Sequence, residues 1–207
     1  MKTVGIIGFG SFGKFLAEKL SSHAKVVVYS HSGVPSTWAT SLEEVAQVAD
    51  YILPAIPLDA YERSLTALAP LLRPETVIVD VCSVKLKPVE LLQRLLPNNK
   101  IVATHPMFGP ESASRSLEGH TIVMCEESSD AHEYGVIKHF AESLGLKVVE
   151  LSAQDHDKSI ATVQGLTFFI ARILDDIKIH EEILHTPSFE RLLNLAELER
   201  HHSAELF

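Results

Sequence analysis

Val4-Gly5-Ile6-Ile7-Gly8-Phe9-Gly10-Ser11-Phe12-Gly13 is the stretch whose reading decides the fold. An apolar, β-branched run breaks abruptly into glycines. After Gly13, Phe15, Leu16 and Leu20 recur at helical spacing, with Lys14, Glu18 and Lys19 between them. The stretch therefore predicts a strand, a tight turn and a helix start, the setting in which G-x-G-x-x-G is a dinucleotide fingerprint. Gly8 permits the turn, Gly10 lets the backbone approach a pyrophosphate, and Gly13 lets helix and strand pack closely. The first helical N–H groups, with their partial positive charge, suit phosphates. Gly8, Phe9, Gly10, Ser11, Phe12 and Gly13 are thus the candidate cofactor-binding residues. The alternative is an ordinary glycine-rich turn.

Outward from this turn, the same alternation repeats. Strand patterns occur at 26–29, 51–53, 76–79, 100–103, 121–125 and 147–150. Helical patterns occur at 58–72, 88–96 and 131–144, and a short helix follows Ser41, which with Glu44 fits a capping box. Strands alternating with helices predict an α/β fold, a doubly wound Rossmann parallel sheet over residues 1–151. Beyond Leu151 there is no strand signal. Ile160, Val163, Leu166, Thr167, Ile170 and Leu174 form an apolar stripe at helical spacing, Pro187 ends the segment, and Phe189 to Phe207 reads as another helix. Residues 152–207 are expected to form a small, shortened α-helical C-terminal domain for substrate binding and dimerisation. So small a domain has little interior, so its apolar stripe must pack on the first domain or on a second copy, and a homodimer is expected. The Phe168-Phe169 pair reads as core packing.

Bulk properties narrow the function. A net charge of -9 over 207 residues leaves no basic stripe for a nucleic-acid partner. Two cysteines, Cys82 and Cys125, make neither a disulfide framework nor a metal site. Adjacent His201 and His202 point to different faces of a helix, so no metal is expected there. The N-terminus lacks the apolar core and cleavage site of a signal peptide, and no apolar run approaches the ~20 residues that span a bilayer. A cytoplasmic protein without a membrane partner is expected.

Chemistry should sit beyond the carboxyl ends of the strands. NAD enzymes usually carry an acid about 20 residues past the fingerprint. Here the second strand ends in Ser30, His31, Ser32 and Gly33, which tolerate a 2′-phosphate where a carboxylate would repel it. NADP is therefore the expected cofactor and NAD the less favoured one; the alternative is a merely polar loop. Pro57 stops the third strand at the same edge and is a further candidate cofactor contact. The usual strand order 3-2-1-4-5-6 would make strands one, four and five neighbours. The glycine turn would then direct a nicotinamide toward Ser83 and His105, in the loops after strands four and five. A neutral His accepts a hydroxyl proton well near pH 7, and Ser83 could orient it. The alternative for His105 is a loop residue capping backbone near Pro106.

The glycine turn, Asp80-Val81-Cys82-Ser83-Val84-Lys85 and His105-Pro106-Met107-Phe108-Gly109-Pro110-Glu111-Ser112 together resemble the prephenate and arogenate dehydrogenases of tyrosine biosynthesis. Asp155-His156-Asp157 and Gln164-Gly165-Leu166-Thr167 resemble the start of that family's helical domain. The resemblance implies NADP-dependent oxidative decarboxylation of arogenate or prephenate, with hydride leaving C4 of the ring and carbon dioxide lost. It implies catalytic roles for His105 and Ser83, and substrate contacts from Ser83, His105, Glu111, Gln164, Arg191 and Arg200. Two departures stand beside it. Phe168 occupies the place of a His that usually follows the Leu-Thr pair, and family members usually continue for several helices past Phe207. Two other readings remain open: a β-hydroxyacid dehydrogenase, which would need a Lys such as Lys158 or Lys178, and a non-catalytic NADP-binding module.

Overall fold

The computed structural model describes residues 1–31, 33–35, 38, 40–128, 130–177, 184 and 186–200, the side chains of 198–200 excepted. Ser32, Lys178, His180, His185, His201 and His202 lie outside the described residues, as does the Arg200 side chain. The chain runs β1 (Thr3–Ile7), α1 (Ser11–Leu20), β2 (Lys25–Tyr29), α2 (Leu42–Val48), β3 (Tyr51–Pro54) and α3 (Leu58–Leu68). It continues through β4 (Val77–Asp80), α4 (Leu86–Leu95), β5 (Lys100–Pro106), α5 (Pro110–Ala113), β6 (Thr121–Cys125), α6 (Ala131–Ser143) and β7 (Lys147–Leu151). Two helices close it, α7 (Ala153–Ile177) and α8 (Pro187–Arg200). It divides into two compact units, Met1–His156 and Asp157–Phe207.

The first unit is the expected doubly wound sheet, with its helices on both faces. Alternation along the strands sorts the core. Val4, Ile6, Val28, Val77, Val79 and Val102 bury one face with Phe15, Leu16 and Ala17 of α1. Ile7, Ile52, Ile78 and Ile101 bury the other with Val45 of α2, Leu65 of α3 and Leu92 of α4. Such two-sided burial is why these strands read as continuous apolar runs. The capping box at α2 forms in modified shape: Ser41 Oγ accepts from the Glu44 N–H at 3.1 Å, while the Glu44 carboxylate accepts from the Thr40 hydroxyl.

Two features differ from the sequence expectation. The order is β2-β1-β3-β4-β5-β6-β7, so β3 lies between β1 and β4, and strands one, four and five are not consecutive neighbours. The outer edge of β2, where a strand would otherwise add, is covered by loop backbone. Val28 N–H donates to Trp38 O at 3.0 Å and Thr40 N–H to Val28 O at 3.2 Å. The chain then crosses β1 and adds β3 on the far side. The sheet is also not wholly parallel, because β6 runs antiparallel to β5. The connection from Pro106 to Thr121 holds only the one-turn α5, and a parallel return would require a full crossover. Antiparallel pairing of Thr104, His105 and Pro106 with Met124, Val123 and Ile122 extends β5 past the expected end at Ala103. His105 is thus a strand residue, not a loop residue.

In the second unit, Ala171 and Leu174 of α7 pack with Ala196 of α8. Phe168 is buried as expected, but Phe169 is 63% exposed. Consecutive helical residues point about 100° apart, so the pair cannot share one core. Among the described residues, no helix is long and apolar enough to cross a membrane.

Candidate active site

The glycine turn has the geometry its residues predict. Gly8 has φ 106°, and a Cβ there would stand 2.2 Å from the Ala55 carbonyl oxygen. At Gly13 a Cβ would stand 2.3 Å from the Gly8 carbonyl oxygen, so α1 can approach β1 this closely only without a side chain. Around Gly10 a Cβ would meet nothing within 4 Å. Gly10 caps α1, whose first turn has no side-chain cap and no acidic residue. Open space, a helix start without a side-chain cap and no acidic residue in its first turn together fit a dinucleotide pyrophosphate. Ser11 is exposed and Phe9 and Phe12 are half-buried. Phe9 packs edge-on against Trp38, ring centroids 5.7 Å apart.

The sheet order places the crevice between β1 and β3, where the chain reverses its direction of travel across the sheet. Residues 55–57 follow β3 directly. Ala55 N–H donates to Ile7 O at 2.8 Å, and exposed Pro57 caps α3. At the end of β2, half-buried Ser30 is followed by exposed His31, whose Nδ1 meets the Tyr29 hydroxyl at 3.2 Å.

The second cluster lies at the carboxyl ends of the paired strands β4 and β5. Ser83 is half-buried three residues past β4, and His105 is near the end of β5. The fully buried Asp80 is the centre of a polar network below them. One of its carboxylate oxygens accepts from the Tyr61 hydroxyl at 2.7 Å and the Cys82 N–H at 3.0 Å. The other pairs with the fully buried Lys85 ammonium, which also donates to the Thr104 carbonyl. Thr104 Oγ1 in turn donates to Asp80 O at 2.7 Å. Burial, with the Asp80 charge second, raises the Tyr61 phenol well above its ordinary range. Burial likewise pushes the Cys82 thiol up to about 11, so it stays a thiol.

His105 is 6% exposed. Its Nδ1 lies 2.9 Å from His156 Nε2, with the two rings edge-to-face. Burial first, then the Lys85 charge and His156, lower its pKa to about 3. The imidazole is therefore neutral near pH 7, as an acceptor must be. The loop after β5 carries exposed Glu111 on α5. That loop is held against α1: Phe108 contacts Phe15 at 6.3 Å between centroids, and Lys19 Nζ donates to Ser114 O at 2.7 Å.

The glycine turn therefore meets Ala55 and Ile56 just past β3, and the paired strands β4 and β5 lead to Ser83 and carry His105 respectively. Three strand spacings, about 14 Å, separate the glycine turn on β1 from His105 on β5. Gln164 and Arg191 belong to the second unit, half-buried on α7 and exposed on α8 respectively. His156 is the residue that sequence reasoning passed over. Its only signal was the Asp155-His156-Asp157 string at a helix start. Among the described residues, no group of three or more His, Cys, Asp or Glu could hold a metal ion.

Comparison with known proteins bears on this geometry. Residues 21–150 match the family model described as prephenate dehydrogenase, nucleotide-binding domain. The chain is 30% identical over 220 residues to arogenate dehydrogenase 2, chloroplastic, of Arabidopsis thaliana, covering 99% of this chain and 62% of that protein. It is 26% identical over 207 residues to the cyclohexadienyl dehydrogenase of Zymomonas mobilis, covering 90% and 71%. The prephenate dehydrogenase of A. aeolicus, solved with hydroxyphenyl propionate and NAD+, shares its fold with a TM-score of 0.76 at 23% identity, covering 100% and 80%. The chain thus spans about three fifths of the Arabidopsis relative's length.

Proposed function

This chain belongs to the prephenate dehydrogenase family, and on that premise we propose that it oxidatively decarboxylates arogenate or prephenate, using NADP in preference to NAD. The observation that carries the reading is a buried, neutral His105 on β5, at the same sheet edge as an uncapped glycine turn suited to a pyrophosphate. Residues 8–13 hold the phosphates through backbone N–H groups, and Pro57 lines the crevice between β1 and β3. Ser30, His31 and Ser32, which follow β2, are the proposed contacts for the adenosine ribose. The absence of a carboxylate there supports a 2′-phosphate.

When bound, the nicotinamide supplies an acceptor for the hydride of the substrate's C4. His105 accepts the hydrogen bond from the 4-hydroxyl and takes its proton as the carbinol becomes a carbonyl. The ring carboxylate then leaves as carbon dioxide, its bonding pair enters the ring, and the ring becomes aromatic. A bound substrate carboxylate would offset the Lys85 field and favour the imidazolium, so His105 becomes more basic when its task arises. Ser83 orients the hydroxyl, and Glu111, Gln164, Arg191 and Arg200 are the proposed substrate contacts. The protein acts as a homodimer through its second unit.

A second reading has its own observation. Phe168 is buried and apolar, and it stands where the resemblance would have a His. Under that reading the chain binds the cofactor without turning over substrate. Steady-state assays with arogenate and prephenate, beside titrations of NADP and NAD, decide between them. Turnover with tighter NADP binding supports the enzyme. Binding without turnover on either acid supports the module, and tighter NAD binding overturns the cofactor preference. Ser30→Asp should move that preference toward NAD.

A further inference from the structure

The first turn of α7 is fixed by contacts that no element of the proposed reaction requires. The Glu127 carboxylate, just past β6, accepts from the Ala153 N–H with both oxygens at 2.8 Å. Ser152 Oγ accepts from the Asp155 N–H at 3.0 Å, and its hydroxyl donates to the Asp155 carboxylate at 2.8 Å. Glu126 N–H donates to Leu151 O at 3.1 Å, and His156 N–H to Ser152 O at 2.9 Å. These bonds set the backbone of His156, which is 1% exposed, so that its Nε2 comes 2.9 Å from His105 Nδ1.

We propose that His156 is a positioning residue for His105: its Nε2 accepts the His105 Nδ1–H and so leaves His105 Nε2 as the unprotonated nitrogen. The inference rests on the reading of His105 as proton acceptor and deepens it. Two ring nitrogens at 2.9 Å share one proton, so the contact selects a tautomer. Burial and the Lys85 charge keep His105 uncharged, and it therefore carries a single N–H. Were His156 the donor, that N–H would sit on His105 Nε2, which could then donate but not accept. With His156 as acceptor, the base is in the right form before substrate arrives, and the ring cannot turn without breaking the bond. The part played by His156 resembles that of an acid orienting a catalytic imidazole, performed here by a neutral acceptor.

The primary test is the tautomer of His105, read from the ¹⁵N resonances of the full-length protein at neutral pH. A protonated Nδ1 and an unprotonated Nε2 are expected; the opposite assignment overturns the proposal without reference to activity. His156→Leu removes the acceptor. It should lower kcat on the order of 10-fold or more, with NADP affinity unchanged, because His105 still samples the useful tautomer part of the time. His156→Gln keeps an acceptor oxygen near the position of Nε2 and should restore most of kcat. If His156→Leu turns over normally, or if Gln fails to rescue while the fold and cofactor binding are intact, His156 does not position the base. His105→Asn is the control for the underlying reading. Its loss should fall in the ~10²–10⁴-fold range of general-base catalysis. Normal turnover in that variant shows that the base lies elsewhere, even where the tautomer is as expected.

Discussion

His105 links protonation to stability. Its folded pKa is lowered to about 3, against an ordinary value of 6.5. Between those values the unfolded chain binds a proton that the native state refuses, so unfolding takes up a proton. Stability is therefore complete above about pH 6.5, falls as pH drops through this window, and levels off below the folded pKa. Between pH 7 and pH 4.5 the loss from this one residue is on the order of 2 kcal/mol. His105→Asn removes that contribution. Urea unfolding of both proteins at the two pH values should show the wild type losing more stability on acidification than the variant. Equal losses would mean that His105 is not held neutral. Gly13 makes a second, purely steric prediction. A methyl group 2.3 Å from the Gly8 carbonyl oxygen forces α1 away from β1. Gly13→Ala should cost about 1–3 kcal/mol and weaken cofactor binding, measured by denaturation and by titration.

At the level of elements, β4 and β5 are joined by more than their ladder. Lys85 begins the turn into α4, yet its ammonium is fully buried between Asp80 and the Thr104 carbonyl. The pair holds the residue preceding His105 and fixes the loop carrying Ser83. Burying two charges costs several kcal/mol each, which their attraction and the bonds from Tyr61 and Cys82 offset. Lys85→Met leaves the Asp80 carboxylate without its cation in an apolar setting. A loss of about 3–5 kcal/mol is expected by chemical denaturation. Asp80→Asn added to Lys85→Met should recover part of it, and a double variant no better than the single one would show that the charge is not what matters. The resemblance drew attention to residues 80–85 as a motif. Spacing alone does not say that a lysine in such a string turns inward, because that depends on a carboxylate and a carbonyl from two strands converging on it.

The whole molecule raises the question of what covers the second unit. Val163, Leu166, Phe169, Ile173 and Ile177 of α7 are 64%, 55%, 63%, 40% and 58% exposed. Their spacings of three and four residues form one apolar stripe. So continuous a stripe is a large area to leave in water, and a second copy of the chain is the proposed cover. Light scattering at micromolar concentration should give a dimer, and Phe169→Glu should shift it toward monomer. A monomeric wild type would overturn the homodimer.

The sequence by itself determined what depends on neighbours in the chain. An apolar run meeting Gly8, Gly10 and Gly13 can form little other than strand, turn and helix. Two-residue alternation sorted Ile6 from Ile7 onto opposite faces, and Ser41 with Glu44 marked a helix start. The tertiary structure alone decided what depends on distant partners. Loop backbone at Trp38 and Thr40 covers the β2 edge and sends β3 to the other side of β1, which no periodicity records. Antiparallel β6 turns Thr104, His105 and Pro106 from loop into strand. His156, 51 residues from His105 in sequence, reaches it only because Glu127 and Ser152 fix the first turn of α7. The tautomer and charge of a buried imidazole follow from the groups brought against it, and those are chosen by the folded chain.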